Sequence, residues 1–321
     1  MSKKIASAFG KGVLSAAVAV LGLASMGEAA QIWVTNQGSN TISIIDSDTH
    51  KVTDTFPAAG WKPHYVTFTP DGKEAWVSNV GSNNVVVFDT AKKEVKAVLP
   101  GGLRAHVVSF TPDGKQAWLA NVGSDDVYVF DAATKKKLAE IKVGKAPSLS
   151  VFSKDGKTAY QSNGGSADVT VIDTATFAIQ GTIPAGRSAM GMALSPDGNA
   201  LYVTAGGDNS LAVIDTQTNR KVKDIPTGKD AHAMYLSPDG KTAYVTNRED
   251  HELAILDMEK QEVVKKIATG KRPDILTAVL GDKLFLTHRA DNNVAVINLT
   301  TGQMESTINT GLEPHGIAVK P

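Results

Sequence analysis

The chain has no cysteine. That excludes disulfides, thiolate metal sites, a lipidated cysteine anchor and covalent c-type haem attachment through Cys-x-x-Cys-His. An exported protein without disulfides is stabilised by packing alone. A surplus of charge is missing too: 33 Lys and Arg balance 33 Asp and Glu. Proteins that bind nucleic acid by bulk charge carry a basic excess, so no nucleic-acid partner is expected. Long apolar runs are absent. The run VLSAAVAVLGLA (13–24) falls short of the roughly 18 residues needed to span a bilayer, so no transmembrane anchor is expected. There is no Gly-x-Ser-x-Gly elbow, phosphate loop or His-Glu-x-x-His helix, so no linear motif argues for an enzyme.

What is present begins with a leader. Lys3, Lys4 and Lys11 precede the short apolar run, and Gly27-Glu28-Ala29 puts small residues where a signal peptidase reads. This pattern predicts an export signal over residues 1–29, cut after Ala29 or Ala30. The mature domain is then residues 30–321, slightly acidic, with a soluble periplasmic location as the expectation.

An internal repeat fills the rest. The segments WKPHYV, LRAHVV, APSLSV, SAMGMA, DAHAMY, RPDILT and EPHGIA align His64, His106, Ser148, Met190, His232, Asp274 and His315, at spacings of 42 residues five times and then 41. The unit from Tyr65 to His106 divides into four strand-like runs: YVTF, KEAWVSN, NVVVFD and EVKAVLP. Pro70-Asp71-Gly72 joins the first two; the same turn recurs at Pro112-Asp113-Gly114, Pro196-Asp197-Gly198 and Pro238-Asp239-Gly240. Such a triplet supplies the fixed φ and the permissive glycine of a tight hairpin. Four strands in about 40 residues is the period of a β-propeller blade. Seven units predict an all-β, seven-bladed propeller with four-stranded blades. The chain starts at a second strand (QIWVTN) and ends in a lone first strand (GIAVKP). Residues 315–320 are therefore expected to complete the blade begun by residues 31–57, closing the ring and removing free sheet edges.

The second-strand motif reads WVTN, WVSN, WLAN, YQSN, YVTA, YVTN and FLTH, with SPDG and VID around it. On these motifs the whole mature chain resembles the YVTN-repeat propeller family. It is similar to exported bacterial propellers and archaeal surface-layer proteins, and more distantly to the haem propeller of cytochrome-type nitrite reductases and haem-processing relatives. The resemblance implies the fold and leaves the function open.

Around a propeller axis, an alignment column becomes a ring. His64, His106, His232 and His315, with Asp274, are expected at one mouth of the channel as ligands of a transition metal (copper, zinc or iron) or of a metal-bearing, haem-like cofactor. Met190 shares the ring, and His288 and His251 are expected on the same face. Trp61 lies three residues before His64 and is a candidate flank for a ligand. Lys62, Arg104, Lys145, Arg187, Lys229 and Arg272 predict a basic collar suited to an anionic group, with Arg104, Arg187 and Arg272 as cofactor contacts. Two other roles fit the same face: a scaffold holding an envelope protein partner, and a tetrapyrrole-processing protein. A ring of histidines can also simply hydrogen-bond nearby carbonyls and water. The Asn that ends most second strands and the Asp that ends six third strands are expected to be structural.

Overall fold

A computed structural model describes residues 29–321. Apart from Ala29, the expected leader lies outside them. Among the described residues, 28 strands form seven four-stranded antiparallel sheets, with one short 3₁₀ turn at Gly206–Asp208. No helix among them is long and apolar enough to cross a membrane. Blades two to seven run from 63–100, 105–142, 147–184, 189–226, 231–268 and 273–309. Blade one is composite. Gln31–Asn36, Thr41–Asp46 and Lys51–Pro57 form its outer three strands, and Pro314–Val319 pairs antiparallel with Gln31–Asn36 as the innermost strand.

Local chemistry explains the regularity. Gly72, Gly114, Gly156, Gly198, Gly240 and Gly281 all have φ between +64° and +79° at the first hairpin of their blades, a conformation that costs glycine little. The Asp at the end of the third strand caps the following turn. Asp46, Asp89, Asp173, Asp215 and Asp257 each accept two backbone N–H groups, and Asn298 takes this post in blade seven. The core lies between blades. Trp33, Trp76 and Trp118 are fully buried, and each meets a phenylalanine of the next blade edge-on: Phe68 at 5.4 Å, Phe110 at 5.4 Å and Phe152 at 5.5 Å. Such pairs are worth about 0.5–1.5 kcal/mol beyond the area they bury.

The inner strands come together around the axis. Each is entered through a residue in the left-handed region: Lys62, Arg104, Ala146, Ser188, Asp230, Arg272 and Glu313, with φ of +50° to +57°. Non-glycine residues adopt this conformation at a cost. Six of the seven entries are held by the preceding blade's loop between second and third strands. There the N–H groups of Lys62, Arg104, Ala146, Asp230 and Glu313 donate to Asn40, Asn83, Asp125, Asn209 and Asn292, and that of Arg272 donates to His251 Nδ1. This clamp, repeated in six blades, sets the start of the inner strand two residues before the ring.

Candidate functional site

The aligned column becomes a ring because a second motif residue holds it. The third residue of the second-strand motif donates its hydroxyl to the carbonyl of the ring residue in the next blade. Thr35 bonds His64 O (3.0 Å), Ser162 bonds Met190 O (2.8 Å), Thr204 bonds His232 O (2.6 Å), Thr246 bonds Asp274 O (3.0 Å) and Thr287 bonds His315 O (3.1 Å); Ser78 bonds His106 O likewise. Blade three has Ala120 here, and the Ser148 carbonyl instead accepts from His106 Nδ1 at 3.1 Å. This role for the motif's Thr or Ser was not expected from the sequence. The signal was available: six of the seven motifs carry a hydroxyl at that place.

His64, Ser148, His232, Asp274 and His315 are buried, and His106 and Met190 are partly so. The ring therefore lies below the surface rather than at a wet mouth. His64 stacks between two imidazoles, with ring centroids 4.0 Å from His106 and 3.8 Å from His315. His232 Nε2 is 3.0 Å from Asp274 Oδ1, and His315 Nε2 is 3.4 Å from Asp274 Oδ2. These three side chains offer ligand atoms within 4.8 Å of one another. Arg248 Nη1 and Arg289 Nη1 approach the same carboxylate at 3.7 and 3.9 Å. Neither arginine was expected at the site. Both directly follow the second strand of their blades, where the other five blades carry Gln37, Val80, Val122, Gly164 and Gly206.

Hydrogen bonding fixes the tautomers. His315 Nδ1 contacts the His64 carbonyl at 2.9 Å. A carbonyl only accepts, so Nδ1 carries the proton and Nε2 of the neutral ring presents a lone pair. The same reasoning applies to His106. Burial in the ring pushes both imidazoles below their ordinary value, His315 to about 4 and His106 to about 3, against the raising effects of Asp274 and of the Ser148 carbonyl respectively. Burial and the neighbouring His315 and His106 take His64 well below it too. Burial alone would raise the Asp274 carboxyl, but His315, His232 and Arg248 together hold it below the usual carboxylate range. With Nδ1 committed to the His64 carbonyl, Nε2 is the His315 atom turned towards the Asp274 carboxylate. Two buried atoms of the ring, His64 Nδ1 and Asp274 Oδ1, have no aligned hydrogen-bond partner. The ring and the layer below it line a cavity of about 70 Å³, and residues further along the inner strands line an apolar one of about 130 Å³. Tyr65, Leu149, Met192, Met234 and Leu276 line both.

The other expected residues go elsewhere. His288 ends its strand in the post held by Asn36, Asn79, Asn121, Asn163 and Asn247 in other blades. Its Nε2 accepts from Gly270 N–H at 3.1 Å, and its Nδ1 bonds Asn293 Oδ1 at 3.0 Å. Both nitrogens are spent on the blade, so His288 is not available to a cofactor in the ring. Trp61 turns outward, with its ring edge beside Gly81. The six residues of the basic collar, Lys62, Arg104, Lys145, Arg187, Lys229 and Arg272, are all exposed on the entry loops, and an apolar arc interrupts them at one position. Three residues before the ring, successive blades carry Leu312, Trp61 and Leu103, then Lys145, Arg187, Lys229 and Lys271. The three apolar side chains are 56%, 60% and 57% exposed. Arg187 pairs with Asp208 at 2.6 Å and Lys145 with Asp125 at 2.9 Å, while Arg104 and Arg272 are exposed on the loops.

No curated protein matches the chain. Among solved structures, it is similar to Kuenenia stuttgartiensis hydrazine synthase, at 23% identity over 84% of this chain and 92% of that one, with a TM-score of 0.76. It is also similar to a functionally unknown protein from Desulfotomaculum acetoxidans, at 16% identity over 90% of this chain and 98% of that one, with a TM-score of 0.79. A third is the dihydro-heme d1 dehydrogenase NirN in complex with DHE, at 16% identity over 89% of this chain and 74% of that one, with a TM-score of 0.66. At these identities the likeness is one of fold. The sevenfold blade pattern agrees with a sequence match over residues 5–320, which makes this chain a member of the YNCE-like beta-propeller family.

Proposed function

We propose that this protein binds a transition-metal ion in its axial ring, and that it does so as an exported, periplasmic protein. One observation carries the reading: Nε2 of His232 and Nε2 of His315 converge on the two oxygens of the buried Asp274, at 3.0 and 3.4 Å, with ligand atoms of all three side chains within 4.8 Å of one another. Two imidazoles and a carboxylate gathered in this way form a donor set that a cation can bridge. Imidazole and carboxylate are ligands for zinc, copper and iron alike. The unpartnered His64 Nδ1 fits the same reading. A haem-like cofactor fits poorly. The cavity of about 70 Å³ is far below the roughly 300 Å³ at which small-molecule pockets begin, so a macrocycle would have to lie across the mouth instead.

The test is calorimetric titration of the purified, chelator-treated protein with zinc and with copper. Near-stoichiometric binding is expected. His232→Ala with His315→Ala lowers the affinity at least 100-fold while the far-ultraviolet circular dichroism stays that of the parent. Equal binding by parent and variant, or none by the parent, overturns the proposal. The second reading, a scaffold for an envelope protein, is favoured by the exposed arc of Leu312, Trp61 and Leu103. It predicts a parent protein that takes up no metal.

A further inference from the structure

The ring is not uniform in its donors. One side offers the Asp274 carboxylate between His232 and His315. Met190 stands next to His232 in the ring, and the layer below adds Met192 and Met234 on the same two inner strands. The three thioethers line the same small cavity as the imidazoles of His64, His106 and His232. Met192 is buried, and Met190 and Met234 are partly so. Thioether sulfur is a soft donor that favours monovalent copper over zinc or ferrous iron. With no cysteine in the chain, these methionines are the sulfur donors at hand.

Charge points the same way. Arg248 is bound by Asp230 through two contacts, at 2.8 and 3.1 Å. Arg289 reaches Glu313 at 3.6 Å and also donates to Gln37. Both guanidinium groups also approach the buried Asp274 carboxylate, at 3.7 and 3.9 Å. A monovalent cation therefore adds less uncompensated charge to this buried site than a divalent one, and such charge is costly.

Resting on the metal-binding reading above, we propose that the ring selects copper in its monovalent state. His232 and His315 with Asp274 anchor the ion, and Met190, Met192 and Met234 supply thioether sulfur from the lining of the same cavity.

The experiment is an anaerobic competition for Cu(I) between the full-length protein and a chromophoric Cu(I) chelator, run beside a zinc titration. The variants are Met190→Leu alone and Met190→Leu with Met192→Leu and Met234→Leu. Leucine keeps the apolar volume, which such cores tolerate. The single variant, at a partly exposed position, serves if the triple variant does not fold. The parent is expected to hold Cu(I) at least 100-fold more tightly than zinc. Either variant is expected to lose at least tenfold in Cu(I) affinity with zinc affinity unchanged. X-ray absorption of the copper-loaded parent should show sulfur among the nearest neighbours of the metal. Zinc binding equal to or tighter than Cu(I) binding overturns the selectivity and leaves the metal-binding reading standing. So does a Cu(I) affinity indifferent to the methionines. Binding of neither ion overturns both.

Discussion

The four histidines of the axial ring and the two in the loops above it, His251 and His288, belong to one face of the molecule and have opposite chemistry. In the loops, ring nitrogens replace the polar atoms of another residue type. His288 does what Asn does in five other blades, and His251 accepts the Arg272 amide as Asn40, Asn83 and Asn292 accept theirs. In the axial ring, His106 and His315 spend only Nδ1 on the backbone and keep Nε2 free. Within a repeat protein, a histidine that substitutes for a hydrogen-bonding column maintains the scaffold. One in a column shared with Met, Ser and Asp has no structural template to imitate.

The sharpest way to separate the two sets is acid. Below about pH 6.5 an unfolded chain protonates its imidazoles, while folded His315 and His106 resist until about pH 4 and 3. The unfolded state then holds more protons, so stability rises with pH through this window. The metal-free protein should keep full stability above pH 6.5 and lose on the order of a few kcal/mol by pH 4, in urea melts at successive pH values. His106→Gln with His315→Gln should reduce that slope, the remainder belonging to His64 and to the buried His288, which burial also lowers. An unchanged slope would place the acid sensitivity outside His106 and His315.

A smaller effect is expected at the blade. His288→Ala removes the partners of Gly270 N–H and Asn293 and should cost about 1–3 kcal/mol in urea melts, with metal binding unchanged. His288→Asn restores the residue other blades use and should recover most of that loss. The smallest effect is His251→Asn, a return to the common residue at an exposed left-handed position. It should change stability by less than about 0.5 kcal/mol. A large loss there, or a change in metal affinity, would erase the distinction between loop and ring.

The blade architecture was legible because each element is written several times over. The 42-residue column, the Pro-Asp-Gly turns and the strand alternation all specify the same seven sheets, and the orphan strands at the two ends specify the closure. The ring column could be read for the same reason. What the column could not give was depth or direction. Trp61 precedes His64 by three residues, but the left-handed Lys62 between them sends its side chain out over Gly81. Arg248 and Arg289 approach Asp274 from loops of two blades, so no repeat register links them to it. Their clue was lateral: two neighbouring blades alone carry arginine after the second strand. The collar reading took two loop positions together and so passed over an apolar feature. Taken one position at a time, Leu312, Trp61 and Leu103 stand out as an apolar arc.

The strand Pro314–Val319 sits beside the oldest part of the propeller and is the last of its strands to leave the ribosome. It carries His315, whose Nδ1 bonds the His64 carbonyl across 251 positions of sequence. Until that strand arrives, the chain holds His232 and Asp274 without their third member, and His64 without one of its two stacking neighbours. On the proposed metal-binding reading, capture is thereby tied to completion: a chain lacking that strand would not form the centre, and an ion bound there would report that the circle has been finished.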